Sequence, residues 1–202
     1  MRFFILCLSL LTFLSNAQEE SSIDTLTINC DSIYSKKGLS ISHIINKKEN
    51  QDGYSGEKNS VFIFRKSEKE IFRDAIFSTV QEINFKDFNN DNVKDILIQN
   101  TSDVRSNWTY ILYLVNPKDY TLTKVKGFDE IKNPTYNTEY DIVEGSAVSG
   151  RDYTSFYKII KNRIYDYEII IYDDHGEDDN YDKAYNKAIK EILRKNKNFP
   201  NK

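Results

Sequence analysis

The chain is 202 residues long, 39% hydrophobic and 29% charged, and its 28 Lys and Arg stand against 31 Asp and Glu for a formal net charge of −3. That length suits one domain with a sizeable core, and the acidic balance argues against nucleic acid as a partner, because phosphate recognition asks for a basic face. Two Cys and two His leave no zinc-spaced Cys and His set.

The first segment reads as a secretory signal peptide. Arg2 precedes an apolar stretch over 3–13, and Ser15-Asn16-Ala17 puts small residues at the minus-three and minus-one positions of a cleavage site near Ala17. Residues 1–17 are expected to be removed, leaving a secreted or periplasmic chain with a charge of about −4 once Arg2 is lost. No later run approaches the ~20 apolar residues of a membrane span. Cys30 is then the single thiol and is expected to be buried. A bound ion is an alternative to a disulfide as the staple of an exported fold. Residues 18–39 read as a polar leader with a short edge strand at 26–28, and 40–197 as one β-rich domain. Within it, 47–59 reads as a loop, with Gly53 and Gly56 among polar residues.

Strands are predicted at 40–45, 61–65, 71–77 and 80–85, where β-branched and aromatic residues gather between turn formers. The next stretch, Asp87-Phe88-Asn89-Asn90-Asp91-Asn92-Val93-Lys94-Asp95, carries oxygen side chains at every second position. A calcium loop of the EF-hand kind takes ligands at positions 1, 3, 5 and 9 and a backbone carbonyl at 7. Here those are Asp87, Asn89, Asp91, Asp95 and the carbonyl of Val93. Position 6 is Asn92, and Asn enters the left-handed region more readily than other non-glycine residues. Position 12 is Ile98 rather than Glu, and both flanks read as strands, so the helices of an EF-hand are not expected. Carboxylates at positions 1, 5 and 9 crowd unfavourably without a cation, and one calcium ion is the expected cofactor. A polar Asn/Asp turn is the alternative. The nine residues resemble the Asp-x-Asn-x-Asp-x-x-x-Asp calcium loops of FG-GAP and VCBS type repeats, and that resemblance implies that Asp95 closes the loop in place of the missing Glu. The loop occurs once, so a full propeller of loop-bearing blades is not available.

Further strands are predicted at 96–99, 108–115, 122–125, 142–148, 155–160 and 164–172. In the strand that begins at Trp108, Tyr110, Leu112 and Leu114 share one face and Ile111, Tyr113 and Val115 fill the other, so both faces are expected to be covered. Before it, Asp103-Val104-Arg105-Ser106-Asn107-Trp108 holds a candidate contact surface, since Arg105 and Trp108 are types that dominate binding hot spots. The alternative is a hairpin in which Asp103 and Arg105 pair in solvent. Asn100-Thr-Ser and Asn107-Trp-Thr are formal glycosylation sequons. The one helix is predicted at 181–195. Tyr181, Ala184, Tyr185, Ala188, Ile189, Ile192 and Leu193 form an apolar stripe, with acids at its start and Arg194, Lys195 and Lys197 at its finish, as the helix dipole prefers. The fold class is therefore mainly β: an antiparallel meander of propeller-like or sandwiched sheets with one C-terminal α-helix.

Ser149-Gly150-Arg151-Asp152-Tyr153 lies between two predicted strands, and Gly150 permits a tight exposed turn that carries Ser149 and Arg151 at its tip. The pattern Ser-Gly-x-x-Tyr resembles the inhibitory loop of bacterial periplasmic lysozyme inhibitors, in which a Ser and a basic residue enter the carboxylate-lined cleft of the hydrolase. The resemblance implies that Ser149 hydrogen-bonds the acid/base carboxyl and that Arg151 pairs with the second carboxylate. That family's Tyr and Thr-Lys-Gly segment is matched only loosely, over 120–127. Export signal, calcium loop, β-rich body and this turn together resemble calcium-binding inhibitor or immunity proteins that block peptidoglycan hydrolases. They imply a non-catalytic protein that meets a protein partner through Ser149, Gly150, Arg151, Tyr153, Arg105 and Trp108. Two other readings stay open. One is a calcium-stabilised surface or adhesion module that binds glycan or protein. The other is a hydrolase using His175 within the acidic run 173–179, which reads more simply as a solvated loop before the helix. His43, inside a strand pattern, reads as a packed residue. No Gly-rich phosphate loop or nucleophile elbow is present.

Overall fold

The computed structural model describes residues 23–47, 58–173, 180–197 and 199. Over these, twelve strands form three four-stranded antiparallel meanders, each built from consecutive strands. The first sheet holds β1 (Ile23–Asn29), β2 (Leu39–Asn46), β3 (Ser60–Lys66) and β4 (Lys69–Ile76). The second holds β5 (Ile83–Lys86), β6 (Asp95–Ser102), β7 (Trp108–Val115) and β8 (Leu122–Lys124). The third holds β9 (Thr135–Asn137), β10 (Ile142–Ala147), β11 (Asp152–Ile160) and β12 (Arg163–Asp173), and the chain then forms the helix α1 (Asn180–Asn196).

Period-two alternation decides how the sheets stack. Leu39, Ile41, Phe62, Phe64 and Ile76 of the first sheet meet Ile96, Ile98, Ile111, Tyr113 and Val115 of the second in one buried cluster. The opposite face of the second sheet, through Leu97 and Leu112, packs with Phe128, Ile131 and Val143 on the side of the third. Ala188, Ile189 and Ile192 of α1 then cover Ile142, Phe156, Tyr167 and Ile171. Each of the Leu, Ile, Val and Phe side chains contributes about 1.5–3 kcal/mol on burial. The second sheet is thus covered on both faces, as the two apolar faces of β7 require. A polar tie joins it to the first sheet: Tyr113 Oη and Lys124 Nζ each donate to Asp74 Oδ2 at 2.8 Å.

The chain has only seven glycines, and left-handed turn positions fall instead to Ser67, Asn90, Asn92, Ser106 and Lys161. Lys161 opens the two-residue turn between β11 and β12, where Ile160 pairs with Arg163.

Several expectations need correction. The polar leader is, from Ile23 on, part of the domain: β1 is an edge strand paired along its whole length with β2, and Cys30, Tyr34 and Leu39 are core residues. The strand expected from residue 80 starts at Ile83, because Ser78 Oγ sits 2.6 Å from Val80 O and 2.7 Å from Gln99 O and pins the crossing between sheets. The short β9 and a 3₁₀ turn at Phe128–Glu130 carry no periodic pattern and were not expected. Leu193 is 43% exposed and lies off the buried stripe of α1. No helix among the described residues is long and apolar enough to cross a membrane.

Candidate functional site

The loop from Asp87 to Asp95 is folded by its own side chains. Asp87 Oδ1 accepts the N–H groups of Asn89 (3.0 Å) and Asn90 (2.7 Å), and Oδ2 that of Asn92 (2.8 Å). Asn89 Oδ1 accepts the Asp91 N–H at 3.1 Å, and Asp91 Oδ1 the Val93 N–H at 2.8 Å. Asn89 Nδ2 also donates to Asp91 Oδ2 at 3.0 Å. Asn90 and Asn92 take φ of 58° and 64°, a conformation Asn accepts at little strain. At the loop's end Asp95 is fully buried, with Oδ2 accepting the Phe88 N–H (2.8 Å) and Oδ1 the Val115 N–H (2.9 Å). Tyr34 Oη anchors the same point by donating to Lys94 O at 3.0 Å.

Burial pushes the Asp95 carboxyl up to about 7, against the lowering effect of its two N–H donors, and the Asp91 and Asp87 carboxylates add to the rise. Among the described residues no group of three or more His, Cys, Asp or Glu side chains is arranged to hold a metal ion. The donor set named from the sequence is a mixed one, with the Asn89 amide and the Val93 carbonyl beside three carboxylates. All of its donors are oxygen, as a hard cation takes. Asp87 Oδ1 already accepts two N–H groups, while Asp87 Oδ2, Asn89 Oδ1 and Asp91 Oδ1 each accept one and keep a second lone pair.

The two predicted contact stretches lie together. Asn107 is 2% exposed, and its Nδ2 donates to Val148 O at 2.8 Å while its Oδ1 accepts the Val148 N–H at 2.7 Å. The loop carrying Arg105 and Trp108 is thereby fastened to the residue that precedes Ser149. Asp103 caps this loop through Oδ1 from the Arg105 N–H (2.9 Å) and pairs with Lys132 Nζ at 2.8 Å, rather than with the Arg105 side chain. The Lys132 and Asn107 donors hold its carboxyl below the usual range. Val104 at the tip is fully exposed and Val148 is 52% exposed.

The Ser149–Tyr153 turn is closed on itself. The Ser149 N–H donates to Asp152 Oδ1 at 2.9 Å, and Ser149 Oγ donates to Arg151 O. The Arg151 guanidinium lies 4.3 Å from the centre of the Tyr172 ring rather than extending freely. Gly150 has open space around it. Tyr153 belongs to β11 and packs edge-on to Tyr172.

Position along β6 separates the two candidate regions. The acidic loop precedes this strand and the Arg105 loop follows it, at opposite ends of eight residues, roughly 23 Å apart at about 3.3 Å per residue. Asn107 itself was not legible as a structural hub: an Asn before a strand has no signal that distinguishes it from a turn former. Cys30 is buried, and burial pushes its thiol up to about 11, which disfavours the thiolate form. His43 is fully buried, as its strand pattern implied. The acidic run with His175 lies outside the described residues apart from Asp173, which ends β12. No family model, no curated protein and no solved structure matches the chain.

Proposed function

We propose that this is an exported, calcium-binding protein that binds and inhibits a peptidoglycan hydrolase, or gives immunity to one, without catalysis of its own. The observation that carries the reading is the Asn107–Val148 pair, which makes one rim of the two stretches that the sequence nominated separately. That rim offers Arg105, Arg151 and Val104 beside Trp108, Tyr153 and Tyr172. Arg and aromatic residues are the types that supply most of the energy at protein interfaces, and a guanidinium suits the paired carboxylates of a glycosidase cleft. The hydrogen bonds inside both turns lower the ordering cost on association. Calcium, held by Asp87, Asn89, Asp91, Asp95 and the carbonyl of Val93, would stabilise the fold from the far end of β6.

The test is inhibition of a panel of peptidoglycan hydrolases by the purified mature chain. Arg105→Ala and Arg151→Ala are expected to weaken inhibition at least tenfold with the unfolding midpoint unchanged. Inhibition of no hydrolase, or inhibition indifferent to both substitutions, overturns the reading. Glycan binding that survives both but fails in Tyr172→Ala would assign the chain to an adhesion module instead.

A further inference from the structure

At the end of the molecule away from that rim, a cavity of about 580 Å³ opens between the second and third sheets. Its apolar wall is made by Phe88, Leu114, Ile159, Ile160 and Phe199, and polar and charged side chains complete the lining. A second, more open hollow of about 560 Å³ adjoins it and shares Asn89, Asp91, Leu114 and Lys161 with it. Cavities of roughly 300–1,000 Å³ with apolar walls and a few placed polar groups are the usual size for small organic ligands.

The charges around this double cavity are unequal in how they are met. Asp141 accepts Tyr136 Oη at 2.6 Å and Lys158 Nζ at 2.9 Å, so the deep pair is internally neutral. Asp91 accepts the Val93 N–H and the Asn89 amide inside its own loop. Lys161, on the shared wall, and Lys118, on the outer hollow, are both exposed, and neither forms an ion pair with a described residue. Among the charged residues that line the two hollows, Lys118, Lys158 and Lys161 outnumber Asp91 and Asp141 by one, so the excess charge is positive, and it borders a wall of apolar side chains.

We infer that this cavity binds a single-chain amphiphile with an anionic head, of the fatty-acid type. The chain lies along Leu114, Ile159 and Ile160, and the head sits at the mouth between Lys118 and Lys161. Apolar burial supplies the larger part of the binding, and the two lysines choose the sign of the head. Lysines that keep their ammonium groups in water while lining an apolar wall suit that task.

Laurate and dodecylamine, which share a chain and differ in the sign of the head, are titrated calorimetrically into the mature protein in calcium-free buffer. Laurate is expected to bind at one site, at least tenfold more tightly than the amine. The Lys118→Gln/Lys161→Gln double variant loses that preference, and Lys161→Arg retains it. Ile160→Trp, which fills the cavity, weakens both ligands at least tenfold with the unfolding midpoint unchanged. Leu114→Phe fills it from the other wall if Ile160→Trp folds poorly. Absence of laurate binding, equal affinity for the amine, or binding indifferent to a filled cavity overturns the inference. The hydrolase assay reads the opposite end of the molecule, so its failure and the failure of this inference are separate results.

Discussion

Asn107 and Val148 form a closed two-bond ring, with Nδ2 donating to the Val148 carbonyl at 2.8 Å and the Val148 N–H donating to Oδ1 at 2.7 Å. A side-chain amide here stands in for the backbone of a neighbouring strand, and it joins the β6–β7 connection of the second sheet to the end of β10 in the third. Asn133 Nδ2 adds a further bond to Asn107 Oδ1 at 3.2 Å and donates to Ser146 O at 3.1 Å. With its amide saturated and buried, Asn107 is no acceptor for a sugar in the folded chain, whatever its sequon.

Asn107→Ala leaves both polar groups of Val148 without this partner. Val148 is 52% exposed, so water takes up part of both bonds, and at about 0.5–1.5 kcal/mol net for each a loss of about 1–3 kcal/mol is expected in urea unfolding. Amide exchange at Val148 is expected to speed up well before global unfolding. Continued protection of that amide in the variant would show that the rim is held by something other than this side chain.

Among the described residues, Gly145 is the glycine most tightly enclosed. A Cβ added there stands 2.7 Å from Ile131 Cγ2, 3.0 Å from Ser155 Oγ and 3.2 Å from a Tyr157 ring carbon. Gly145→Ala is therefore expected to destabilise by about 1–3 kcal/mol through overpacking against Ile131 and the neighbouring strand β11. Gly150→Ala, with open space around it, serves as the control and should leave the unfolding midpoint nearly unchanged.

In the first two sheets β2, β3, β4, β6, β7 and β8 were legible in the sequence because alternation and β-branched content coincide there, whereas β1 shows a strand signal only over 26–28 and β5 starts three residues later than expected. β7 was read to the residue, including its two covered faces. β9 was not legible: Thr135, Tyr136 and Asn137 follow Pro134 with no apolar alternation, and they pair with β10 only because the third sheet is already in place. The acidic loop was legible because Asx turns are local, so each bond from Asp87 to Val93 spans five residues or fewer. The rim was legible only as two fragments. Its unity depends on a contact between residues 41 positions apart, and no local signal encodes that. The cavity beside Leu114 and Ile160 was invisible for the same reason, being made where the ends of two sheets diverge.

His43 makes the fold sensitive to acid. Burial pushes its imidazole down to about 4, and neither ring nitrogen has a hydrogen-bond partner among the described residues. The unfolded chain takes up this proton near 6.5 and the folded chain only near 4. Stability from this group is therefore full above about pH 6.5 and is lost as pH falls towards 4, by about 3 kcal/mol in all. Asp95 acts in the opposite sense, since its raised value of about 7 favours the folded state at low pH. The difference between wild type and His43→Leu, not the wild-type curve alone, isolates the imidazole. That difference is expected to shift in favour of the variant by about 3 kcal/mol between pH 7 and pH 4, and a constant difference would mean that the ring is hydrated or partnered in solution.

Asp95→Asn sets two opposed effects against each other. The carboxylate accepts both the Phe88 and the Val115 N–H groups, and an amide can accept through only one of its two atoms, so one buried N–H loses its partner at about 1–3 kcal/mol. Against this, the substitution removes a charge that is fully buried and lies near the Asp91 and Asp87 carboxylates, a disfavoured state at neutral pH worth about 4 kcal/mol by the size of its shift. The second effect is the larger without a cation. In chelator at pH 8 the variant is therefore expected to be at least as stable as wild type, by up to about 3 kcal/mol. Calcium at a hundredfold excess over its dissociation constant stabilises a protein that binds it by about 2.7 kcal/mol. Wild type is expected to gain of this order in millimolar calcium and Asp95→Asn or Asp91→Ala to gain little, so the wild-type deficit narrows or reverses when calcium replaces chelator. Thermal or urea unfolding of the three proteins under both conditions reads this directly. Equal response to calcium in all three would remove the ion from the loop and leave 87–95 as a turn held by its own Asx bonds.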